Sequence, residues 1–393
     1  MVNATTDIGR EPIRFGMVGG GKGAFIGGVH RIAARIDGQF QLVAGALSSD
    51  PERSRTSGAE LGLDPERCYG SFSEMALAES ARADGIEAVA IVTPNHMHYP
   101  AAKAFLDAGI HVICDKPLTA NLPDAKALAT QAAEAGRVFV LTHNYTGYPM
   151  VRQAREMIAE GLLGDLRVVQ AQYVQDWMTQ ASDSKQANWR TDPAKSGAGG
   201  ATGDIGTHAY NLARFVTGLE LDRLSADLSA FVEGRVLDDN AHIMLRFKPV
   251  GGVPAAKGML WASQVAPGNE NGLTLRVFGS KGGLEWAQEQ PNHLWYTPFG
   301  QEKRLITRGS AGAGASAARV TRIPSGHPEG YLEGFATIYA EAARAIRAAR
   351  AGQPLPADVV FPSVTDGVEG VAFIEACVRS SADDAAWTAL DLD

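Results

Sequence analysis

Residues 13–36 read "IRFGMVGGGKGAFIGGVHRIAARI", and no other stretch of the chain says as much about its architecture. Seven mostly apolar residues lead into a cluster of glycines and then into a pattern with helical spacing. Glycines there permit a tight turn and let backbone N–H groups approach a phosphate at a helix N-terminus. The pattern Gly19-x-Gly21-x-x-Ala24 therefore predicts a strand, turn and helix that bind a dinucleotide.

The connection between this predicted strand and the following predicted helix is unusually long. We expect the helix to begin near His30, which leaves a longer loop after Gly21 than such turns usually have. Which residues of that loop contact the phosphates stays open, and the candidates are Ala24, Phe25, Gly27 and Gly28. A glycine-rich turn without a ligand is the alternative interpretation.

The region from Ile13 to about Asn144 alternates short apolar runs with alanine-rich stretches of helical spacing. This alternation is typical of a doubly wound parallel sheet with helices on both faces. We predict strands at 13–19, 41–47, 88–94, 111–115 and 138–144, and helices at 30–36, 51–62, 100–109 and 123–136. Residues 1–145 are thus predicted to form an α/β Rossmann domain that binds a dinucleotide.

The pattern changes after residue 145, where successive short runs alternate polar and apolar residues. Such runs predict a large, mainly antiparallel open sheet with one covered face. We assign residues 146–393 to an α+β domain for substrate binding and oligomerisation, whose C-terminal helical segment could pack back on the first domain. The stretch "GSAGAGASAARV" (309–320) is interpreted as a surface loop.

The composition limits the classes of partner. A formal net charge of −8 argues against nucleic-acid and membrane surfaces, since both attract basic stripes. Three cysteines form no Cys-x-x-Cys pair and indicate reduced thiols. The first residues carry no apolar signal region and no run of about 18 apolar residues occurs, so we expect a cytoplasmic protein that binds a small molecule.

The end of the second predicted strand bears on the choice of cofactor. An NAD enzyme usually presents a carboxylate there to the ribose hydroxyls. This chain has Ser48 at that point, followed by Asp50 and Arg53. Either Asp50 turns back to the ribose, which favours NAD, or Ser48 and Arg53 accept a 2′-phosphate, which would favour NADP. An N-cap role for Asp50 before Pro51 is equally consistent with the sequence. We favour NAD, since a single arginine makes a weak phosphate site.

Polar residues follow the later strands of the predicted sheet. The carboxyl ends of parallel strands meet along one edge, where ligands bind. "TPNHMH" (93–98) and "CDKP" (114–117) should therefore face a common site, with Lys116 acting on a substrate oxygen. A solvated surface turn is the alternative for Lys116. The predicted cofactor contacts along this edge are Thr93, Pro94, Asn95, His98, Asp115, Lys116 and Asn144.

A second glycine-rich segment, "SGAGGATGDIGTHAYNLARFVTG" (196–218), leads into a predicted helix. Asp204 and His208 are four residues apart, a spacing that places two side chains on one helical face. The carboxylate could orient or charge-stabilise the imidazole, which is a usable base near neutral pH. A pair that only stabilises the helix is the alternative. We expect no metal, because no third ligand lies at a suitable local spacing.

These motifs resemble the Gfo/Idh/MocA family of sugar and cyclitol dehydrogenases. The resemblance covers nearly the whole chain and includes "TPNHMH", "CDKPLT", "GLLGDLRVV", "GGATGDIGTHAYNLARF" and "HPEGYLEGF". By position it implies Lys116, Asp204 and His208 as the catalytic group. Asp115 stands where the family usually has Glu, and "HNYTGYP" (143–149) lacks the arginine often found after that asparagine.

The resemblance implies hydride transfer between a ring carbinol and a nicotinamide cofactor, in a dimer or tetramer. A polyhydroxylated ring suits aromatic and charged residues at the edge of the second domain, and the predicted substrate contacts are Tyr145, Asp176, Trp177, Trp189, Arg190, Asp204 and His208. Two other functions stay open: a glycosidase that uses tightly held NAD for oxidation, elimination and re-reduction, and a nucleotide-sensing regulator without catalysis. The sugar, the carbon oxidised, the direction and the exchange of cofactor are not predicted.

Overall fold

The computed structural model of this chain describes residues 11–182 and 184–392. The apolar runs of the first 141 residues form one parallel sheet, with strand order β2-β1-β3-β4-β5. Because helices cover both faces, β3 and β4 are fully buried along their length. The elements are β1 (Ile13–Gly19), α1 (Phe25–Ile36), β2 (Phe40–Ala46), α2 (Pro51–Glu60), α3 (Phe72–Ser80), β3 (Ala88–Val92), α4 (His98–Asp107), β4 (His111–Cys114), α5 (Leu122–Ala135) and β5 (Phe139–Leu141).

The second half of the chain is built on an eight-stranded sheet of order β13-β12-β11-β10-β6-β9-β8-β7. Only the β6–β9 pair is parallel within the described residues, so the sheet is mainly antiparallel as predicted. Its elements are α6 (Pro149–Ala159), β6 (Leu166–Val174), α7 (Lys185–Arg190), α8 (Pro193–Ser196), α9 (Thr207–Thr217), β7 (Leu221–Ser229), β8 (Asn240–Phe247), β9 (Lys257–Ser263), β10 (Gly272–Gly279), β11 (Gly282–Ala287), β12 (His293–Pro298) and β13 (Arg304–Thr307).

In this sheet most apolar residues of the alternating runs lie on the buried face and most polar residues on the more exposed face. Along β8 the buried positions Ala241, Ile243 and Leu245 alternate with more exposed neighbours, and they join a core shared with α6 and α9. Three more helices complete the chain: α10 (Ala315–Val320), α11 (Tyr331–Arg350) and α12 (Val364–Ala382).

The two long C-terminal helices return to the first sheet. Phe335 and Tyr339 of α11 share a buried cluster with Val29 of α1, and Val371 of α12 lies in the cluster on the opposite face. The Glu375 carboxylate accepts the N–H of Leu122 at 2.8 Å, at the start of α5. The strands of the first sheet are therefore covered partly by the end of the chain.

The prediction of a loop over residues 309–320 was partly wrong. Residues 315–320, taken as loop, form α10, where Ala317 is fully buried. Carboxylate oxygens of Glu156 accept the N–H groups of Ala315 and Ser316, so a partner on α6 satisfies the helix N-terminus that the low-complexity sequence cannot cap. Helix α3 was not predicted at all.

Among the described helices, none is both long and apolar enough to cross a bilayer.

Candidate active site

The glycine turn after β1 requires glycine at both predicted positions. Gly19 has a φ of +79°, and a Cβ built there would lie 2.9 Å from the carbonyl oxygen of Val92. A Cβ at Gly21 would lie 2.6 Å from the carbonyl oxygen of Leu47, which also accepts the Gly21 N–H at 3.1 Å. The turn thus passes closely over the ends of β2 and β3, as a phosphate-binding turn does.

Helix α1 begins at Phe25, so the predicted start near His30 and the long loop before it were wrong. The residues "FIGG" (25–28) form the first turn of α1, and that turn packs closely against the glycine turn. A Cβ at Gly27 would lie 2.4 Å from Cα of Gly20, and this glycine, rather than Ala24, is the small residue that permits close packing. Ala24 is the N-cap and offers no side-chain hydrogen bond. The first N–H groups of α1 are therefore available to an anion.

Two buried polar atoms along the carboxyl edge of the sheet suit a bound dinucleotide. Oγ1 of Thr93 and Nδ2 of Asn144 are both buried with no hydrogen-bond partner among the residues that the structure describes, although such groups are normally paired in folded proteins. Asp115 lies between them in the sheet, and its Oδ1 accepts the Thr142 hydroxyl at 2.8 Å. Together with the glycine turn, these residues fit NAD.

Other predicted cofactor residues at this edge have partners within the protein. Asn95 Nδ2 donates to the carbonyl of Ser196 at 2.8 Å, which joins the end of β3 to α8. The buried His98 ring lies 2.8 Å from the Pro117 carbonyl and 2.9 Å from the Thr93 carbonyl. Pro94 precedes the short 3-10 turn Asn95–Met97. In this structure Asn95 and His98 therefore brace the edge, and their contact with cofactor stays a prediction.

At the end of β2, Asp50 has the N-cap role that was one of the alternatives left open by the sequence. Oδ1 of Asp50 accepts the Arg53 N–H at 2.7 Å and so caps α2. Nε of Arg53 donates to the Ser48 hydroxyl at 3.0 Å, and both side chains are accessible to solvent. The three predicted residues thus lie together, with one Asp50 oxygen already engaged.

The Lys116 and Asp204 side chains meet across the two halves of the chain. Nζ of Lys116 lies 3.1 Å from Oδ1 of Asp204 and donates to its backbone carbonyl at 2.5 Å. The other carboxylate oxygen, Oδ2, accepts Nε of Arg190 and Nε2 of Gln264, each at 2.9 Å. Burial opposes ionisation of this carboxyl, but the charges of Arg190 and Lys116 outweigh it and hold the pKa of Asp204 well below its ordinary value.

The expected contact between Asp204 and His208 does not form. Among the described residues, the carboxylate of Asp204 hydrogen-bonds Lys116, Arg190 and Gln264 but not His208. Residues Thr202–Gly206 form a π-helical turn before α9 begins. Since such a turn aligns residues five apart rather than four, the spacing argument made for a regular α-helix does not apply here.

His208 instead contacts aromatic and imidazole rings. Its Nδ1 lies 3.4 Å from Nδ1 of His143, and its ring centroid is 4.8 Å from that of Tyr145. Burial, reinforced by the Lys116 charge and by the neighbouring His143 ring, lowers the pKa of His208 well below 6.5, while Asp204 acts in the opposite direction. His208 is therefore neutral at neutral pH.

A buried polar chain extends from this cluster. The hydroxyls of Tyr145 and Tyr173 are 2.6 Å apart, and the Tyr173 hydroxyl donates to Oδ1 of Asn271 at 2.7 Å. Burial raises the pKa of Tyr145, so its hydroxyl keeps its proton. The predicted substrate residue Tyr145 thus lies beside His208 and is held by the second sheet.

The remaining predicted substrate residues form one rim of the site. The guanidinium carbon of Arg190 lies 4.4 Å from the ring centroid of Trp189 and 5.8 Å from that of Trp177. Asp176 lies on the same connection as Trp177, and its Oδ2 accepts the Gly268 N–H at 3.0 Å. Arg190 therefore links the aromatic rim to Asp204.

Sequence reasoning missed several members of the cluster: His143, Tyr173, Gln264, Asn271 and Tyr331. Gln264 directly follows β9, as Lys116 follows shortly after β4, and polar residues at strand ends were a usable signal. The Tyr331 ring lies 6.4 Å from that of Tyr145. Tyr331 lies in the quoted motif "HPEGYLEGF" at the first turn of α11, but nothing in that motif indicated that its ring would lie near Tyr145.

Comparison with known proteins gives a consistent result over the whole chain. Residues 13–143 match the model of an oxidoreductase family with an NAD-binding Rossmann fold, and residues 151–285 match the GFO/IDH/MocA C-terminal domain. The uncharacterized oxidoreductase YfiI of Bacillus subtilis is 36% identical over 384 residues, which cover 96% of each protein.

Two solved structures are similar in sequence and shape. An oxidoreductase from Sinorhizobium meliloti is 62% identical with a TM-score of 0.89, and the match covers 96% of this chain and 99% of that one. An inositol dehydrogenase homolog from Azotobacter vinelandii, complexed with NADH and myo-inositol, is 37% identical with a TM-score of 0.91 and coverages of 96% and 98%. The chain is a dehydrogenase that uses NAD, and it belongs to the GFO/IDH/MocA family of oxidoreductases.

Proposed function

We propose that this dehydrogenase oxidises a ring carbinol of a neutral polyhydroxylated compound, a sugar, glycoside or cyclitol, with Lys116, Asp204 and His208 as its catalytic group. The observation that carries the proposal is the ion pair between Lys116 and Asp204, with His208 at the start of α9 beside it. The pair joins the carboxyl edge of the first sheet to the second half of the chain. A substrate held there would lie next to the nicotinamide end of a dinucleotide that starts at the glycine turn.

Each residue has a role that follows from its charge. The Lys116 ammonium stabilises negative charge as the carbinol oxygen loses its proton. His208, which burial keeps neutral, accepts that proton. Asp204 holds the ammonium in place and retains lone pairs for a neighbouring substrate hydroxyl. Bound NAD would accept the hydride, held by the glycine turn, Thr93, Asp115 and Asn144.

The charges around the cluster support a neutral substrate. The two cations of the cluster, Lys116 and Arg190, are both already paired with the Asp204 carboxylate, so neither is placed to bind an ionic substrate group by itself. Trp177 and Trp189 offer apolar faces for the C–H side of a ring. The myo-inositol in the similar Azotobacter vinelandii structure is a compound of this class.

Three further assignments belong to the same proposal. NAD is preferred over NADP, because Arg53 is the one cation of the described residues that hydrogen-bonds Ser48 at the end of β2. The first domain ends near residue 145, in the 3-10 turn Asn144–Gly147 that separates β5 from α6, although its residues 1–10 lie outside the described part. The active protein is a dimer or tetramer in the cytoplasm.

Turnover of a panel of inositols, pyranoses and methyl glycosides with NAD or NADP tests the proposal. We expect at least one neutral polyol to yield NADH and, in equal amount, a ring ketone, or a lactone if the anomeric carbon is oxidised. Cleavage of a glycoside without net formation of NADH would instead identify the oxidation–elimination glycosidase. Tight binding of NAD with no turnover of any compound would favour the regulator and contradict the proposal.

A further inference from the structure

His143 packs edge-on against the proposed base. The two imidazole rings are nearly perpendicular, at 83°, with centroids 5.2 Å apart and the Nδ1 atoms 3.4 Å apart. His143 is 2% exposed and His208 is 8% exposed. The contact is therefore shielded from bulk water, and any hydrogen bond across it is strengthened by its surroundings.

The backbone holds His143 rigidly in this position. Its N–H donates to the Leu141 carbonyl at 3.0 Å, and its own carbonyl accepts the Thr146 hydroxyl at 2.9 Å. The 3-10 turn that follows starts at Asn144, a predicted cofactor contact. The imidazole thus stands between the cofactor edge and the base.

A neutral histidine can accept a proton at only one ring nitrogen, because the other carries hydrogen. For His208 to receive the substrate proton at Nε2, its Nδ1 must be protonated and needs an acceptor. The ionisable groups that face this imidazole are Lys116, Asp204, His143, Tyr145 and Tyr173. Of the described residues, His143 is the one with an acceptor atom at hydrogen-bond distance from Nδ1.

We propose that His143 is a positioning residue that accepts the Nδ1–H of His208 and so keeps Nε2 of His208 free to take the substrate proton. The inference rests on the proposed function. It gives His143 the part that the sequence suggested for Asp204, whose carboxylate is engaged with Lys116, Arg190 and Gln264. The arrangement resembles in logic the carboxylate that fixes the tautomer of a catalytic histidine in hydrolases.

His143 must stay unprotonated to act as an acceptor. Burial and the nearby Lys116 charge lower the pKa of His143 to about 3, so the ring is neutral at every pH at which the enzyme would work. If His143 were cationic, both of its nitrogens would be donors, and His208 would have to present a lone pair at Nδ1 and a hydrogen at Nε2. The base would then be in the wrong tautomer.

The experiment compares His143→Phe, His143→Gln and His143→Asp in the full-length protein with NAD and the substrate found in the panel. His143→Phe keeps the ring volume but removes the acceptor, and kcat should fall on the order of 10²-fold with KM and NAD affinity nearly unchanged. His143→Gln supplies a carbonyl acceptor and should recover part of the loss. His143→Asp places a carboxylate beside His208 and should move the rising limb of kcat/KM to higher pH, which checks that His208 is the titrating base.

Nitrogen-15 NMR of histidine-labelled protein reads the tautomer without turnover. We expect protonated Nδ1 on His208 in the wild type and a mixture of tautomers in His143→Phe. Tyr148→Phe is the matched control, since it removes only the hydroxyl that accepts Nε2 of Gln288 just after the same turn and touches neither imidazole. Wild-type kcat and an unchanged tautomer in His143→Phe would overturn the inference. If His208→Ala itself retains full activity, the proposed function fails instead, so the two failures are distinguishable.

Discussion

Asp204 and His208 are neighbours in sequence that serve different partners. The carboxylate fixes the Lys116 ammonium, and the imidazole lies against His143 and Tyr145. The two residues still influence each other electrostatically, because the charge of Asp204 favours the protonated form of His208. The two side chains therefore have different hydrogen-bond partners, but the charge of Asp204 still affects the protonation of His208.

The pH dependence of alcohol oxidation should report His208. Because the reaction requires the neutral imidazole, kcat/KM should rise with pH on a limb that lies below pH 6.5, the ordinary value from which the pKa of His208 is lowered. Asp204→Asn removes the contribution that raises this pKa and should shift the limb to still lower pH, with slower turnover. His208→Ala should lose most activity. Kinetics of the three proteins between about pH 5 and 9 check this, and a wild-type limb above neutrality that survives in His208→Ala would assign proton abstraction to another group.

Helix α1 depends on glycine at one position of its first turn. A Cβ at Gly27 would lie 2.4 Å from both Cα and the carbonyl oxygen of Gly20. Gly27→Ala should therefore displace the turn, weaken NAD binding at least about tenfold and destabilise the protein by about 1–3 kcal/mol.

Gly28→Ala is the matched control for that prediction. The nearest atom to a Cβ at Gly28 is a guanidinium nitrogen of Arg31 at 4.0 Å, so alanine fits and should be neutral or stabilising in the helix. Calorimetric titration with NAD and urea unfolding measure both variants. Equal behaviour of the two alanine variants would mean that the close approach of α1 to the turn is not needed.

The elements differ in how far the sequence could predict them. The strands of the first sheet could be predicted because each is a short apolar run between glycines or polar residues. The start of α1 was not, since Gly27 and Gly28 have low helix propensity and tertiary packing overrides it. The π-helical turn at Thr202–Gly206 could not be predicted either, because the spacing of Asp204 and His208 was interpreted as that of a regular α-helix and no local pattern distinguishes the two.

The site was predictable only where its residues lie at strand ends or in a recognisable motif. Lys116, Asp204 and His208 could be named, and the structure brings them together. The contacts of Gln264 and His143 could not, because their partners lie 60 and 65 residues away in sequence. Such pairings depend on how the two sheets are placed against each other, which no local pattern records.

Buried neutral histidines should make the stability of the whole protein sensitive to acid. Burial lowers the pKa of His30 and of His111 to about 4 and that of His143 to about 3. Between about pH 6.5 and 4 the unfolded chain binds more protons than the folded one, so the free energy of unfolding must decrease as pH falls. Each unit of pKa difference corresponds to about 1.4 kcal/mol per residue when the unfolded imidazole is protonated.

Urea unfolding at a series of pH values measures this slope. In His30→Gln the free energy of unfolding should fall less steeply with decreasing pH. His30 is fully buried against Tyr339 and Phe335, and its low pKa in the folded protein is one source of the slope. Lowering of the pKa of Asp204 acts in the same direction but only near and below pH 4. A free energy of unfolding that stays constant from neutrality to about pH 4.5 would show that these imidazoles are more accessible than the structure implies.

The proposed catalytic group requires Lys116 to act on the reacting oxygen rather than only to join the two halves of the chain. Single-turnover hydride transfer and NAD affinity should be measured for wild type, Lys116→Ala and the surface control Lys103→Ala, whose ammonium pairs with Asp107 in solvent. We predict that Lys116→Ala keeps most of the wild-type NAD affinity, since the glycine turn carries the pyrophosphate, while hydride transfer slows on the order of 10²-fold or more. Lys103→Ala should match the wild type in both measurements. Hydride transfer at the wild-type rate in Lys116→Ala would contradict the proposed catalytic group.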